Sequence, residues 1–313
     1  MQNHNEIPLS AESIPVNGNS YVNNVRFFLD IGQKSFFDAQ EPVGFTHNLM
    51  ELDIFDIGYL ADLSDLYHPN DYFVTSGAAA PGVPFYSTGR LTDRPRDAMS
   101  KLSEEPTRVL LKRPEKYDPN FRALLCKIHS YLAGIEKGPP INDLVRLEGA
   151  VLISSAATIT PFHFDPEFGF FCQIEGDKIY HVYSPVAVRE QDLERFFVRG
   201  VVDIGGLDLE NCDSRHEHVF ALRPGDGFYQ PHNAPHWVET SNSRSISYTC
   251  VFQTRDAAAL GRVRAFNHYA RKLGWTPGTP GLNPGRDAAK ASLMQAVTPV
   301  RRALSHAASA LGR

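Results

Sequence analysis

Hydrophobic and polar positions divide the chain into stretches of different texture. Residues 1–20 are polar, with scattered Asn, Ser, Pro and Gly, and read as a tail without a core of its own. From Asp56 to Tyr67 the apolar positions Ile57, Leu60, Leu63 and Tyr67 recur at helical spacing, which predicts an amphipathic helix. The strand-like run DYFVTSG follows. A second helix is predicted after Asp118, which can cap it, with Pro119 suited to the first turn. Phe121, Leu124, Leu125, Ile128 and Leu132 form its apolar stripe, and the flanking His129 reads as a packing residue.

Between about Asp143 and Thr254 the pattern changes to short runs rich in Val, Ile, Phe and Tyr, broken by Gly, Pro and Asp. That spacing predicts an all-β sandwich or barrel. Helical periodicity returns from Asp256 to Leu273, with Gly274 as a stop, and WTPGTPGLNPG reads as a linker. The Ala-rich stretch from Arg286 to Arg313 favours helix, and Pro299 is expected to break or kink it. Its Arg286, Lys290, Arg301, Arg302 and Arg313 face a single Asp287, which reads as a solvated or dimer-packing helix. The expected organisation is therefore a flexible tail (1–20), a helical or mixed region packing on a barrel (21–142), the barrel (143–254), and C-terminal helices with a candidate dimer interface (255–313).

Composition narrows the class. With 313 residues and 42% hydrophobic content the chain can bury one large core. A net charge of -5 argues against nucleic acid as the main partner. Cys126, Cys172, Cys212 and Cys250 form no CxxC pair, as expected in a reducing compartment, and we expect a cytoplasmic location. No signal-peptide pattern and no apolar run of membrane-spanning length is present, so no membrane partner is expected.

The chemistry concentrates in TITPFHFDPEFGFFCQIEGDKIYHVYSP. His163 and Asp165 stand two apart in a strand-like context, which predicts that both side chains meet on one face. An imidazole and a carboxylate supply two corners of a 2-His-1-carboxylate triad, the arrangement that leaves positions open on a non-haem Fe(II). The third corner must come from elsewhere. In ALRPGDGFYQPHNAPHWVET a PGD turn opens a strand, and His236 begins the next one; His232, inside the QPHNAP turn, competes with it. Cys212, His216 and His218 lack a convincing fourth ligand and read as a loop rather than a zinc site.

TPFHFDPEFGFFCQIEGDK and LRPGDGFYQPHNAPHWVE together resemble the JmjC and cupin-like 2-oxoglutarate oxygenases, especially the branch that includes protein asparaginyl hydroxylases. The resemblance spans about Gly149 to Thr254. It implies a double-stranded β-helix, a mainly β jelly-roll cupin of JmjC type with flanking N- and C-terminal helices. It also implies Fe(II) on His163, Asp165 and His236, with 2-oxoglutarate and O2 as cosubstrates and succinate and CO2 as products. Lys178 falls where that family places a lysine on the distal carboxylate of 2-oxoglutarate. Strand parity sets Tyr180 beside it, and Thr160 matches a hydroxyl position that also contacts the cosubstrate. Gly169 and Cys250 stand near where the asparaginyl hydroxylases tend to carry asparagines, so asparagine is not implied as the target. The substrate is expected to be a protein or a small molecule, hydroxylated or oxidatively demethylated. The alternative is a metal-binding cupin that senses or scaffolds without oxidising, which would have no need of Lys178.

Overall fold

The computed structural model describes residues 24–29, 41–83, 88–135, 143–199 and 214–311. Two antiparallel sheets face each other. The larger has the order β1-β2-β10-β7-β12-β5-β4-β3 and the smaller β6-β11-β8-β9. The strands are β1 (Phe27–Leu29), β2 (Val43–His47), β3 (Tyr72–Ser76), β4 (Thr107–Lys112), β5 (Leu144–Ser154), β6 (Ile159–His163), β7 (Phe168–Glu175), β8 (Lys178–Tyr183), β9 (Glu217–Leu222), β10 (Asp226–Gln230), β11 (His236–Thr240) and β12 (Ser245–Thr254). This is the jelly-roll arrangement expected of a cupin. Four strands from before residue 143 are built into the larger sheet, extending it beyond the edges of the smaller one.

The helices are α1 (Ile57–Ser64), α2 (Pro95–Ser100), α3 (Pro119–Gly134), α4 (Glu190–Arg199), α5 (Arg255–Lys272) and α6 (Pro284–Leu311). Local chemistry starts them. Asp56 accepts from the Gly58 and Tyr59 amides, Asp118 from Asn120 and Phe121, and Thr254 from Ala257. Two elements differ from expectation. The chain forms α4, whose strongly charged sequence carries only a narrow apolar stripe. Helix α6 runs on through Pro299 instead of breaking there. Proline removes one backbone donor, and the helix-favouring Ala-rich turns on either side maintain the rest.

Alternation along the strands of the larger sheet builds two different faces. Val109 and Leu111, Val151 and Ile153, Phe168 and Phe170, and Ile246, Tyr248, Cys250 and Phe252 join one core with Phe55, Leu60, Phe121, Leu124 and Ile128. Each fully buried side chain of this kind contributes about 1.5–3 kcal/mol. The opposite positions turn toward the smaller sheet. There Phe171 and Phe228 meet Tyr180, Val182, Leu222 and Val238 in a smaller cluster, and the remaining interior is polar. A third cluster seats α4 through Leu193 and Phe196 against Phe164 and Val188.

Two glycines are required by the path between the sheets. Gly176 has φ +66 where β7 leaves one sheet for β8 in the other, and a Cβ there would lie 2.2 Å from the Arg244 carbonyl. Gly225, φ +98, makes the PGD turn, which Asp226 closes by accepting from the Arg223 amide at 2.9 Å.

Candidate metal and cosubstrate site

The interior between the sheets brings His163, Asp165 and His236 together. One ligand atom from each lies within 4.8 Å of the others, and among the described residues this is the one such group. His163 closes β6 and sits directly opposite His236, the first residue of β11. Asp165 is not in the strand, because β6 ends at His163; it lies in the following turn, where its carbonyl accepts the Asn233 amide at 2.8 Å. The shared face that strand parity predicted is therefore achieved by a turn pinned to the β10–β11 connection.

The imidazoles are oriented by backbone carbonyls. His163 Nδ1–H donates to Pro161 O at 2.9 Å and His236 Nδ1–H to Ala234 O at 3.0 Å. A carbonyl can only accept, so Nε2 carries the lone pair in both rings, the tautomer a metal ligand needs. Burial holds His163 well below the usual imidazole range, helped by neighbouring His236, and burial also lowers His236. Both rings are thus neutral donors at physiological pH. His236 Nε2 lies 3.8 Å from Asp165 Oδ2. Tyr180 stacks on His236, and the Gln230 side chain lies 3.2 Å from His236 Nδ1 while accepting from Tyr180 Oη at 3.2 Å. Two neutral nitrogens and one carboxylate oxygen suit a divalent first-row ion, with the remaining positions open.

His232 does not join them. Its ring packs against Phe168 with centroids 4.7 Å apart. Burial, and the charge of Arg264, lower it to about 4. Cys212 lies outside the described residues, and His218 is paired with Glu41 at 2.7 Å.

Lys178 starts β8 and points inward with Tyr180, while Ile179 between them is exposed. It is buried, and its Nζ donates to the neutral hydroxyl of Ser247 on β12 at 3.0 Å. Ser247 in turn donates to Gln173 Oε1 at 2.8 Å, and Gln173 Nε2 holds Ser245 Oγ, Glu175 O and Gly176 O. No ion pair to Lys178 exists among the described residues. Burial, with the nearby charge of Arg108, lowers its ammonium to about 7. Thr160 is half-buried on β6 opposite Val238, separated from His163 by a bulge in the pairing with β11. Gln173, Gln230, Ser247 and Arg108 were not singled out from the sequence. Their signal was the polar alternation of their strands, as in Ser245, Ser247 and Thr249.

A jelly-roll whose interior carries a 2-His-1-carboxylate group, with a buried cation on the same interior, has the layout of a cupin-type metal site. Residues 144–260 match the family model of the JmjC domain. That segment holds all three residues of the triad and the buried Lys178. The fold also resembles the Escherichia coli protein YcfD, with a TM-score of 0.52 and 16% identity over 87% of this chain and 68% of that one. A structure of YcfD described as a ribosomal oxygenase in complex with cobalt and 2-oxoglutarate aligns over the same shares with a TM-score of 0.47 and 16% identity. The first of these likenesses shows the fold. None of the curated proteins matches the chain in sequence. No helix among the described residues is long and apolar enough to cross a membrane.

Proposed function

We propose that the protein hydroxylates a protein side chain, consuming O2 and 2-oxoglutarate and releasing succinate and CO2. One oxygen atom enters the substrate C–H bond and the other enters succinate. The observation that carries this reading is Lys178, a buried cation with only a neutral partner, on the same interior wall as the metal ligands. A buried charge without a counter-ion is costly, so a ligand carboxylate is the partner that this position calls for. When bound, Fe(II) supplies the oxidising chemistry.

The chain's own residues do the rest. His163, Asp165 and His236 hold the metal, and Pro161 and Ala234 fix the ring orientations. Lys178, with Ser247 behind it, takes the distal carboxylate, and Tyr180 and Thr160 line the same pocket. Asp165 is 38% exposed while His163 and His236 are 7% and 3% exposed, so the open approach for substrate is on the Asp165 side. If the attacked carbon is bonded to nitrogen, the same hydroxylation ends in loss of that carbon. A homodimer through the C-terminal helices is a further part of this proposal, supported by exposed Leu282, Leu293 and Val297, and sedimentation of the purified protein tests it.

The test of the oxygenase reading is anaerobic titration of the Fe(II) protein with 2-oxoglutarate, followed by its visible charge-transfer band. Wild type should show the band. Lys178→Ala should retain iron but bind 2-oxoglutarate at least about tenfold more weakly, since breaking such a pair costs roughly 2–5 kcal/mol. Iron binding without the band would instead favour a non-oxidising metal cupin.

A further inference from the structure

A second, half-buried cation shares the interior with Lys178. On β4 the alternation sends Val109 and Leu111 into the apolar core and Arg108 to the opposite face. The Arg108 Nη2 donates to the Ser76 carbonyl at 3.3 Å and to Thr88 Oγ1 at 3.0 Å, and its Nε is buried without an acceptor. Among the described residues no carboxylate pairs with it. Acids on this interior are committed elsewhere: Glu148 and Glu167 to Arg146, and Asp165 to the metal group.

The register places the group that Lys178 reaches and Arg108 on one wall. Lys178 crosses from the smaller sheet to Ser247 on β12. Ser247 pairs with Leu152 on β5, and Leu152 with Leu110 on β4, one inward position from Arg108. One strand, β5, lies between the anchor strands, so they are two interstrand spacings apart, about 10 Å, a gap that a long guanidinium side chain and a short dicarboxylate can fill. Burial lowers Arg108 to about 10, and its charge in turn depresses Lys178, as two like charges near each other require. Ser76 and Thr88 are neutral acceptors that a neutral donor would serve as well, so they do not account for a charge there.

We propose that Arg108 is a second anchor for the distal carboxylate of 2-oxoglutarate, acting with Lys178 to make the pocket select 2-oxo acids that carry a second carboxylate. This rests on the oxygenase reading above. It gives the strands before residue 143 a part in cosubstrate choice that lies outside the JmjC-matching segment.

Calorimetric titration of the Mn(II)-loaded protein with 2-oxoglutarate and with 2-oxopentanoate, which has the same chain but no distal carboxylate, tests it. Arg108→Gln keeps a donor for Ser76 and Thr88 and removes the charge. It should weaken 2-oxoglutarate about tenfold or more while leaving 2-oxopentanoate unchanged, and Arg108→Lys should recover much of the selectivity. In Lys178→Met, where Arg108 is untouched, a preference for 2-oxoglutarate should persist. Equal loss for both acids in Arg108→Gln would mark a structural role and overturn the proposal, as would unchanged binding of both. Should Arg108→Gln fail to fold, the Lys178→Met result decides: equal binding of the two acids there overturns it. Wild type that binds neither acid ends the oxygenase reading itself, whereas wild-type binding with no effect at Arg108 ends only this inference.

Discussion

Asp71 and Lys178 are both almost completely buried charges, 3% and 4% exposed, and their surroundings could hardly differ more. Asp71 accepts from Arg113, from Lys116 at 2.9 Å and from the Tyr117 hydroxyl. Burial alone would raise its carboxyl, but those three donors hold it well below the usual carboxylate range. Lys178 has one neutral hydroxyl and the face of Phe171 at 5.9 Å, and no anion among the described residues offsets the cost of its burial. The first charge is complete within the chain and ties α3's approach to β3 and β4. The second has no counter-charge among the described residues. Buried charge by itself therefore does not mark function; buried charge left without its counter-charge does.

The largest effect expected lies at the metal group, where that incompleteness is greatest. His163→Ala, Asp165→Ala and His236→Ala should each abolish stoichiometric Fe(II) binding in elemental analysis, since two protein ligands rarely hold a divalent ion as well as three. Retention of iron by His236→Ala would mean that the third ligand is another residue.

Lys178 sharpens the contrast through stability. In the unfolded chain its ammonium titrates near the ordinary lysine value, about 10.4, and in the fold at about 7. Between those values the unfolded state binds more protons, so metal-free wild type should gain stability as pH rises from about 7 to 10. Below that window the full penalty applies. Lys178→Met, of similar volume, should therefore stabilise the ligand-free protein near pH 7 by about 1–4 kcal/mol in urea unfolding, and lose this advantage by pH 10. A destabilised Lys178→Met at pH 7 would show that an internal partner satisfies the lysine.

Asp71 should respond in the opposite sense. Asp71→Asn is expected to lose about 2–3 kcal/mol at pH 7, less than a fully buried pair because Lys116 is half exposed. A depressed carboxyl contributes stability above its unfolded value and loses it as acid protonates the folded group. The gap between wild type and Asp71→Asn should thus close as pH falls below about 4; a gap that widens in acid would contradict the assignment. The smallest effects are expected outside both sites. His232→Ala should leave iron content unchanged, and so should joint replacement of Cys212, His216 and His218, with no equivalent of zinc lost.

Much of this was legible in the sequence because it is local. Asp56, Asp118 and Thr254 cap helices through amides two or three residues away, and Gly176 and Gly225 take positive φ within their own turns. Alternation along β12 separates Tyr248 and Cys250 from Ser247 in any register. The pair His163 and Asp165 was visible for the same reason, although a turn rather than a strand brings Asp165 round.

What the tertiary structure alone decided is long-range pairing. His236 rather than His232 meets His163 because β11 pairs with β6 and β8 in one register, while His232 is drawn onto Phe168. Arg108 reaches the interior because β4 pairs with β5, a contact that no local pattern announces. A one-residue slip in such a pairing would turn every side chain to the other face, so burial of the apolar core selects the register and the interior cations follow from it. The sequence by itself determined which residues could ligate and which could pack. The closure of two sheets around a polar interior determined which of them meet, because that choice is made by contacts between residues far apart in the chain.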